Sequence, residues 1–269
     1  MKKTILIIAL LCLVVFPVLA KDQKITITGS TTVLPIAQAT AEIFMNQNPD
    51  INISVRGGGS SVGIASIIAG TVDIGNASRH IKTKEITTAR ENGVNPNEIV
   101  VANDGIAIVL HKDNPINNLT VQQIKDIYTG NISNWKDLGG PSMPIVVISR
   151  DVSSGTFEVF NELVLGGSKA VDSALMLASN NAVVSTIAGT PGAIGYAGLG
   201  YVNETVKAIS VNNVMPSKQT IQNRSYPIAR TLHMYTNGAP KGVVKEYIDF
   251  VLSAEGQELV EEQGFISVD

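Results

Sequence analysis

Short apolar runs alternate with stretches of helical spacing along most of this chain. Residues 25–28 read as a strand, and 34–45 as a helix with Ile36, Ala39, Thr40 and Ile43 at helical spacing. A strand at 51–55, a helix at 62–69, a strand at 71–75 and a polar helix at 84–91 follow, then strands at 99–102 and 105–110. A second series has a helix at 121–128, a strand at 145–149, helices at 157–165 and 181–188 and a strand at 193–197. An extended stretch at 226–232 leads into helices at 243–252 and 254–262. Repetition of βα units with short loops predicts an α/β fold of largely parallel sheets flanked by helices. If the C-terminal helices pack back on the first unit, the chain crosses twice between two domains. Domain I is then 21–105 with 228–269, and domain II is 106–227. Paired crossings make a hinge, and a ligand at the strand ends in the cleft closes it.

Three predicted strands end in the same chemistry. Ser149-Arg150-Asp151-Val152-Ser153-Ser154-Gly155-Thr156 lies between a strand and a helix, as do Thr28-Gly29-Ser30-Thr31-Thr32 and Gly57-Gly58-Gly59-Ser60-Ser61. One such turn needs only an N-cap at Ser153 or Ser154 and a surface ion pair at Arg150. Three of them suggest free backbone N–H groups, hydroxyls and a guanidinium gathered around one tetrahedral oxyanion.

Composition narrows the setting. With 269 residues, 44% hydrophobic and 16% charged, the chain is ordinary globular material. Met1-Lys2-Lys3, the apolar run 4–19 and Val18-Leu19-Ala20 form an export signal with cleavage expected after Ala20. The only cysteine, Cys12, lies inside that signal, so no disulfide or thiolate metal site is expected in the mature protein. Loss of Lys2 and Lys3 leaves 18 basic against 23 acidic side chains, a formal charge of −5. That balance argues against nucleic acid as a partner and makes any anion site local. Six Asn-x-Ser/Thr triplets occur, of which Asn76 falls beside the predicted pocket.

Several motifs together resemble the periplasmic phosphate-binding proteins that feed a high-affinity phosphate ABC transporter, within the type II periplasmic-binding-protein fold. They are Thr28 through Pro35, Gly57 through Ser61, Val72-Asp73-Ile74-Gly75-Asn76-Ala77-Ser78-Arg79, Ile127 through Trp135, Arg150 through Thr156, and Gly192-Ala193-Ile194-Gly195-Tyr196. The resemblance covers nearly the whole mature chain and implies an exported, monomeric receptor with no cofactor. Its ligand would be inorganic phosphate, and its partners the permease subunits of the transporter. It also implies that Ser30, Thr31, Thr32 and Ser60 bind from the first domain, while Arg150, Ser154, Gly155 and Thr156, beside Ser153, bind from the second. In much of the family an Asp after Val-Asp-x-Gly accepts the proton of the phosphate; here that position is Ser78. Either Arg79 contacts the anion directly, or Asp151 takes the acceptor role. Sulfate or molybdate is the alternative ligand.

Other chemistries find less support. His80, His111 and His233 stand in no recognisable nucleophile–base setting, so catalysis is not expected. Gly57–Gly63 lacks the Gly-Lys-Ser/Thr ending of a phosphate loop, and Val62 breaks the dinucleotide pattern. No His or Cys cluster is visible for a metal, and Asp73 and Asp104 read as strand-end and turn residues.

Overall fold

The computed structural model describes residues 23–268, so the predicted signal segment lies outside the described residues. Strand β1 (Gln23–Gly29) buries Ile25 and Ile27 at alternate positions. It feeds α1 (Leu34–Gln47), which opens with a proline in its first turn. Strand β2 (Ile51–Gly57), helix α2 (Ser60–Ile68) and strand β3 (Ile74–Ala77) complete the first βαβα series, with β2 and β3 parallel to β1 on either side. The strand expected at 71–75 thus begins later. Asp73 is held in the preceding turn, where its carboxylate accepts the Thr26 N–H at 2.7 Å.

After α3 (Thr83–Glu91) the two strands expected at 99–102 and 105–110 are a single one, β4 (Pro96–His111). Asp104 and Gly105 read as a turn because an acid and a glycine punctuate strands. Here the Asp104 carboxylate is compensated inside the protein, and the strand runs through. The second series comprises β5 (Asn118–Leu119), α4 (Val121–Thr129), β6 (Val146–Arg150) and α5 (Gly155–Phe160), the last extended by a π turn over Asn161–Leu165. Then come β7 (Leu175–Leu177), α6 (Asn180–Ala188), β8 (Ala193–Gly198), β9 (Val206–Val211) and α7 (Lys218–Gln222). The chain returns along β10 (Ala229–Asn237) and closes with α8 (Gly242–Val251) and α9 (Ala254–Glu262).

The strands join in the order β2-β1-β3-β10-β4-β8-β6-β7. Pairs β1–β2, β1–β3, β6–β8 and β6–β7 are parallel, whereas β10 runs antiparallel to β3 and β4, and β4 antiparallel to β8 and β9. The sheet is therefore parallel at its flanks and antiparallel where the two long strands cross.

One apolar core collects Ile25, Ile36, Phe44, Ile53, Val101, Leu232, Tyr247 and Phe265, and another collects Ile106, Ile108, Ile124, Tyr128, Trp135, Phe160 and Tyr196. Strand β4 contributes to both. Within the second core the Trp135 Nε1–H donates to the Gly192 carbonyl at 2.9 Å, and Tyr128 OH donates to the Ile148 carbonyl at 2.9 Å. Those bonds, with Phe160 stacked on Tyr196 at 3.9 Å, hold β6 and so aim its last residue, Arg150. No helix among the described residues is long and apolar enough to cross a membrane.

Candidate functional site

Four strand ends and helix starts meet at one place. After β1, Gly29 takes a φ of +137°, where a side chain would collide with the Asn76 carbonyl. The turn lets the Ser30 N–H reach that carbonyl at 2.8 Å, while Ser30 Oγ accepts the N–H of Thr32 at 3.1 Å and of Val33 at 3.4 Å. Ser60 opens α2; its Oγ accepts the Ser78 N–H at 2.9 Å and lies 3.2 Å from Ser78 Oγ. From the other half of the chain, Ser154 caps α5 by accepting the Phe157 N–H at 3.3 Å. Thr156 Oγ1 lies 3.1 Å from Thr32 Oγ1.

Gly155 sits where these turns touch. A Cβ on it would stand 2.3 Å from Ser60 Oγ and 2.8 Å from Ser78 Oγ. Gly155→Val is expected to hold the two sides apart and weaken anion binding by about tenfold or more, since over-packing costs on the order of 1–3 kcal/mol. Titration of the variant with phosphate checks this; wild-type affinity would mean the turns do not need this contact.

Two guanidiniums enter the cluster. Arg150 is 1% exposed; its Nε donates to the Leu177 carbonyl at 3.0 Å, and its Nη2 donates to the Ala178 carbonyl at 3.0 Å and to Thr31 Oγ1 at 3.1 Å. Its Nη1 is buried without a partner among the described residues. Burial lowers this guanidinium to about 10, so it remains charged near pH 7. Arg230, which the sequence reading did not single out, comes from β10. Its Nε and Nη2 lie 2.9 and 2.7 Å from Asp104 Oδ2. Arg230 Nη1 donates to Thr156 Oγ1 at 3.0 Å and to the Ser78 carbonyl at 3.4 Å, and Nη2 donates to Thr32 Oγ1 at 3.3 Å. Asp104, fully buried, also accepts the Leu199 N–H at 3.0 Å, so the turn residue expected from sequence is the counter-ion of a site arginine.

Asn180, at the start of α6, is another residue the sequence did not flag. Its Nδ2 donates to Thr32 Oγ1 at 3.0 Å, and its Oδ1 accepts the Gly198 N–H at 3.2 Å. The hydroxyl oxygens of Ser30, Thr31, Thr32, Ser60, Ser154 and Thr156 thus accept from nitrogen donors, which leaves the hydrogens of Ser30, Thr31 and Ser154 available to donate, while one hydrogen each is shared within the Thr32–Thr156 and Ser60–Ser78 pairs. Two cations face one carboxylate in a place closed to water, an imbalance that an anion corrects.

Three residues expected at the site also make contacts of another kind. Arg79 is directed at two carboxylates, 2.8 Å from Glu85 Oε1 and 3.0 Å from Glu158 Oε2, and also donates to Ser61 Oγ at 3.1 Å and the His80 carbonyl at 2.9 Å. Both of its Nη groups are committed, while Nε, though near Glu158, has no aligned hydrogen-bond partner among the described residues; Arg79 ties 79–85 to α5. Asp151 Oδ1 accepts the Ser153 N–H at 2.9 Å and the Ser153 hydroxyl at 2.5 Å. The Ser153 carbonyl accepts the Ser61 N–H at 3.1 Å, so Asp151 and Ser153 form a second tie between the same segments. Asn76 is buried beside Ser30 and Ser78, with neither carboxamide atom partnered among the described residues.

Comparison with known proteins places this geometry in a family. A model of the PBP superfamily domain matches residues 18–255. The phosphate-binding protein PstS of Bacillus subtilis is 36% identical over 250 residues, covering 91% of this chain and 81% of that protein. PstS of Borreliella burgdorferi is 33% identical over 259 residues, covering 92% and 91%. Among solved structures, a substrate-binding protein of a phosphate ABC transporter from Clostridium perfringens, with bound phosphate, superposes with a TM-score of 0.85 at 38% identity, covering 92% of this chain and 100% of that one. An ABC-type phosphate transport receptor from Vibrio cholerae gives 0.75 at 33% identity, covering 90% and 99%. A matching family model and relatives of this identity along almost the whole length lead to one assignment: the chain belongs to the PBP superfamily, among the phosphate-binding proteins of the PstS type.

Proposed function

We propose that this protein captures inorganic phosphate between the turns after β1, β2 and β6 and delivers it, as an exported single-chain receptor, to the membrane subunits of an ABC importer. The observation that carries this reading is Arg150, a buried cation whose Nη1 has no protein partner and whose neighbours are hydroxyls. Half a dozen donors at about 1.5–3 kcal/mol each, less desolvation and closure costs, suffice for a dissociation constant of roughly micromolar or tighter. Residues 21–105 with 228–269 act as one lobe and 106–227 as the other, and β4 and β10 serve as the hinge. The cross-lobe ties of Arg79 and Ser153 then belong to the closed form. Binding is the role of the relatives this chain resembles, whose names are those of phosphate-binding proteins.

Asn76 supplies the acceptor for the protonated phosphate oxygen in this reading, in place of the Asp that Ser78 replaces. A carbonyl oxygen accepts that proton, and sulfate, fully ionised near pH 7, has none to offer. The test is calorimetric titration of chain 21–269, freed of ligand by unfolding and refolding, with phosphate and then sulfate. One phosphate per chain, poorly displaced by sulfate, is expected, with the preference narrowing in Asn76→Ala. Comparable binding of both anions by the wild type would make this a general oxyanion receptor, and binding of neither would end the reading.

A further inference from the structure

Outside the phosphate cleft, three side chains distant in sequence converge on one point. Tyr235 on β10 pairs with Glu98 on β4, and His233, two residues earlier, shares their face. The β4–β10 register shifts between Leu232 and His233, an irregularity of the kind that re-aims a side chain. His80, just beyond β3, closes the cluster from above, its ring centroid 4.6 Å from that of His233. His80 Nδ1 lies 2.9 Å and His233 Nδ1 3.2 Å from Glu98 Oε1, and one ligand atom from each residue falls within 4.8 Å of the other two.

Glu98 Oε1 accepts the Tyr235 hydroxyl and lies at hydrogen-bond distance from His80 Nδ1, so the same atoms that would hold an ion are drawn together without one. His233 has no exposed side-chain surface, and its Nδ1 has no aligned hydrogen-bond partner although Glu98 is near. Its Nε2 sits 2.9 Å from Thr231 Oγ1, a hydrogen bond that, with Nε2 as donor, leaves the Nδ1 lone pair pointing into the cluster. Donors about 2.0–2.1 Å from a tetrahedral ion stand about 3.3 Å apart, close to the two His–Glu98 separations of 2.9 and 3.2 Å. An outer layer is in place: Thr231 on His233, and the Tyr235 hydroxyl on Glu98. His80 and His233 also line a groove of about 1250 Å³ on this side of the protein, which leaves room for a water on the ion.

We propose that His80, Glu98 and His233 form a binding site for a zinc-like divalent cation, with two imidazoles, one carboxylate and an open position toward the groove. Two nitrogens and one carboxylate oxygen suit zinc, nickel or copper and not calcium or magnesium, which prefer all-oxygen shells. The groove is also lined by Arg230, but none of the three ligands hydrogen-bonds Arg150, Arg230 or the hydroxyls of the anion cluster, so phosphate affinity is expected not to depend on them.

The test uses the purified exported chain, stripped with a chelator and held in phosphate-free buffer. Calorimetric titration with zinc chloride is expected to give one ion per chain, and cobalt(II) to give the visible absorption of a tetrahedral site. His80→Ala, at an exposed position that the fold tolerates, and Glu98→Gln are each expected to weaken zinc binding by about tenfold or more. His233→Gln is expected to abolish the cobalt spectrum, with circular dichroism checking that the variant is folded. Phosphate titration of His80→Ala should match the wild type. Absence of zinc binding tighter than about 100 µM, or binding that either His80→Ala or Glu98→Gln leaves unchanged, overturns the three-ligand site.

Discussion

Arg150→Met is expected to lower phosphate affinity about 100-fold or more while leaving the ligand-free protein as stable as the wild type, or more so. The two effects have opposite signs because one feature causes both. Arg150 is a buried cation held by the carbonyls of Leu177 and Ala178 and the Thr31 hydroxyl, without a carboxylate to neutralise it. In the free protein it carries a desolvation cost that methionine, of similar length, removes. In the complex it supplies charge-assisted bonds to the anion worth on the order of 1.5–3 kcal/mol each, and about 1.4 kcal/mol corresponds to tenfold in affinity. Calorimetry and thermal melting, with and without phosphate, check both halves. Retained affinity would remove Arg150 from the site; a collapse in ligand-free stability would make it a structural arginine instead.

Asp104→Ala is expected to destabilise the ligand-free protein by about 3–5 kcal/mol, because it strands Arg230 inside the protein without its counter-charge. At about 2–4 °C per kcal/mol for a chain of this size, the melting temperature should fall by about 10 °C or more. Saturating phosphate should restore part of the loss, since the anion becomes the counter-charge of Arg230. The double variant Asp104→Leu, Arg230→Met should recover more stability than either single change predicts, and a double-mutant cycle measures that coupling. Its phosphate affinity should nonetheless fall, because Arg230 orients the hydroxyls of Thr32 and Thr156. A melting point within about 2 °C of wild type for Asp104→Ala would show that the pair is not compensating buried charge.

All the helices but α7, and most strands, were legible because their signals are local. Alternation in β1, the capping pair Thr120 and Gln123 at the start of α4, and the serine caps of α5, α6 and α9 act over a few residues, and the structure places those elements within a few positions of expectation. The misreadings share one cause. Asp104 looked like a turn residue because a lone acid in a strand is unfavourable, and its partner is Arg230, 126 positions away in sequence. Arg79 looked like an anion ligand because it follows Ser78, yet Glu85 and Glu158 claim it from two other elements. The strands β5 and β7 are only two and three residues long, and with β9 they owe their existence to neighbours in the sheet.

By itself the sequence determined the class of the fold, the three hydroxyl-rich strand ends and the kind of ligand they suit, since turn chemistry and helix starts are written in neighbouring residues. Tertiary structure decided which charges meet. It assigned Asp104 to Arg230, left Arg150 without a carboxylate in ion-pair contact, set Arg79 against Glu85 and Glu158 and Asp151 against Ser153, and gathered His80, Glu98 and His233 on one face. The physical reason is that a charge is compensated by whatever the fold brings within a few ångströms, and the effective dielectric that sets the strength of that compensation exists only once the chain has packed.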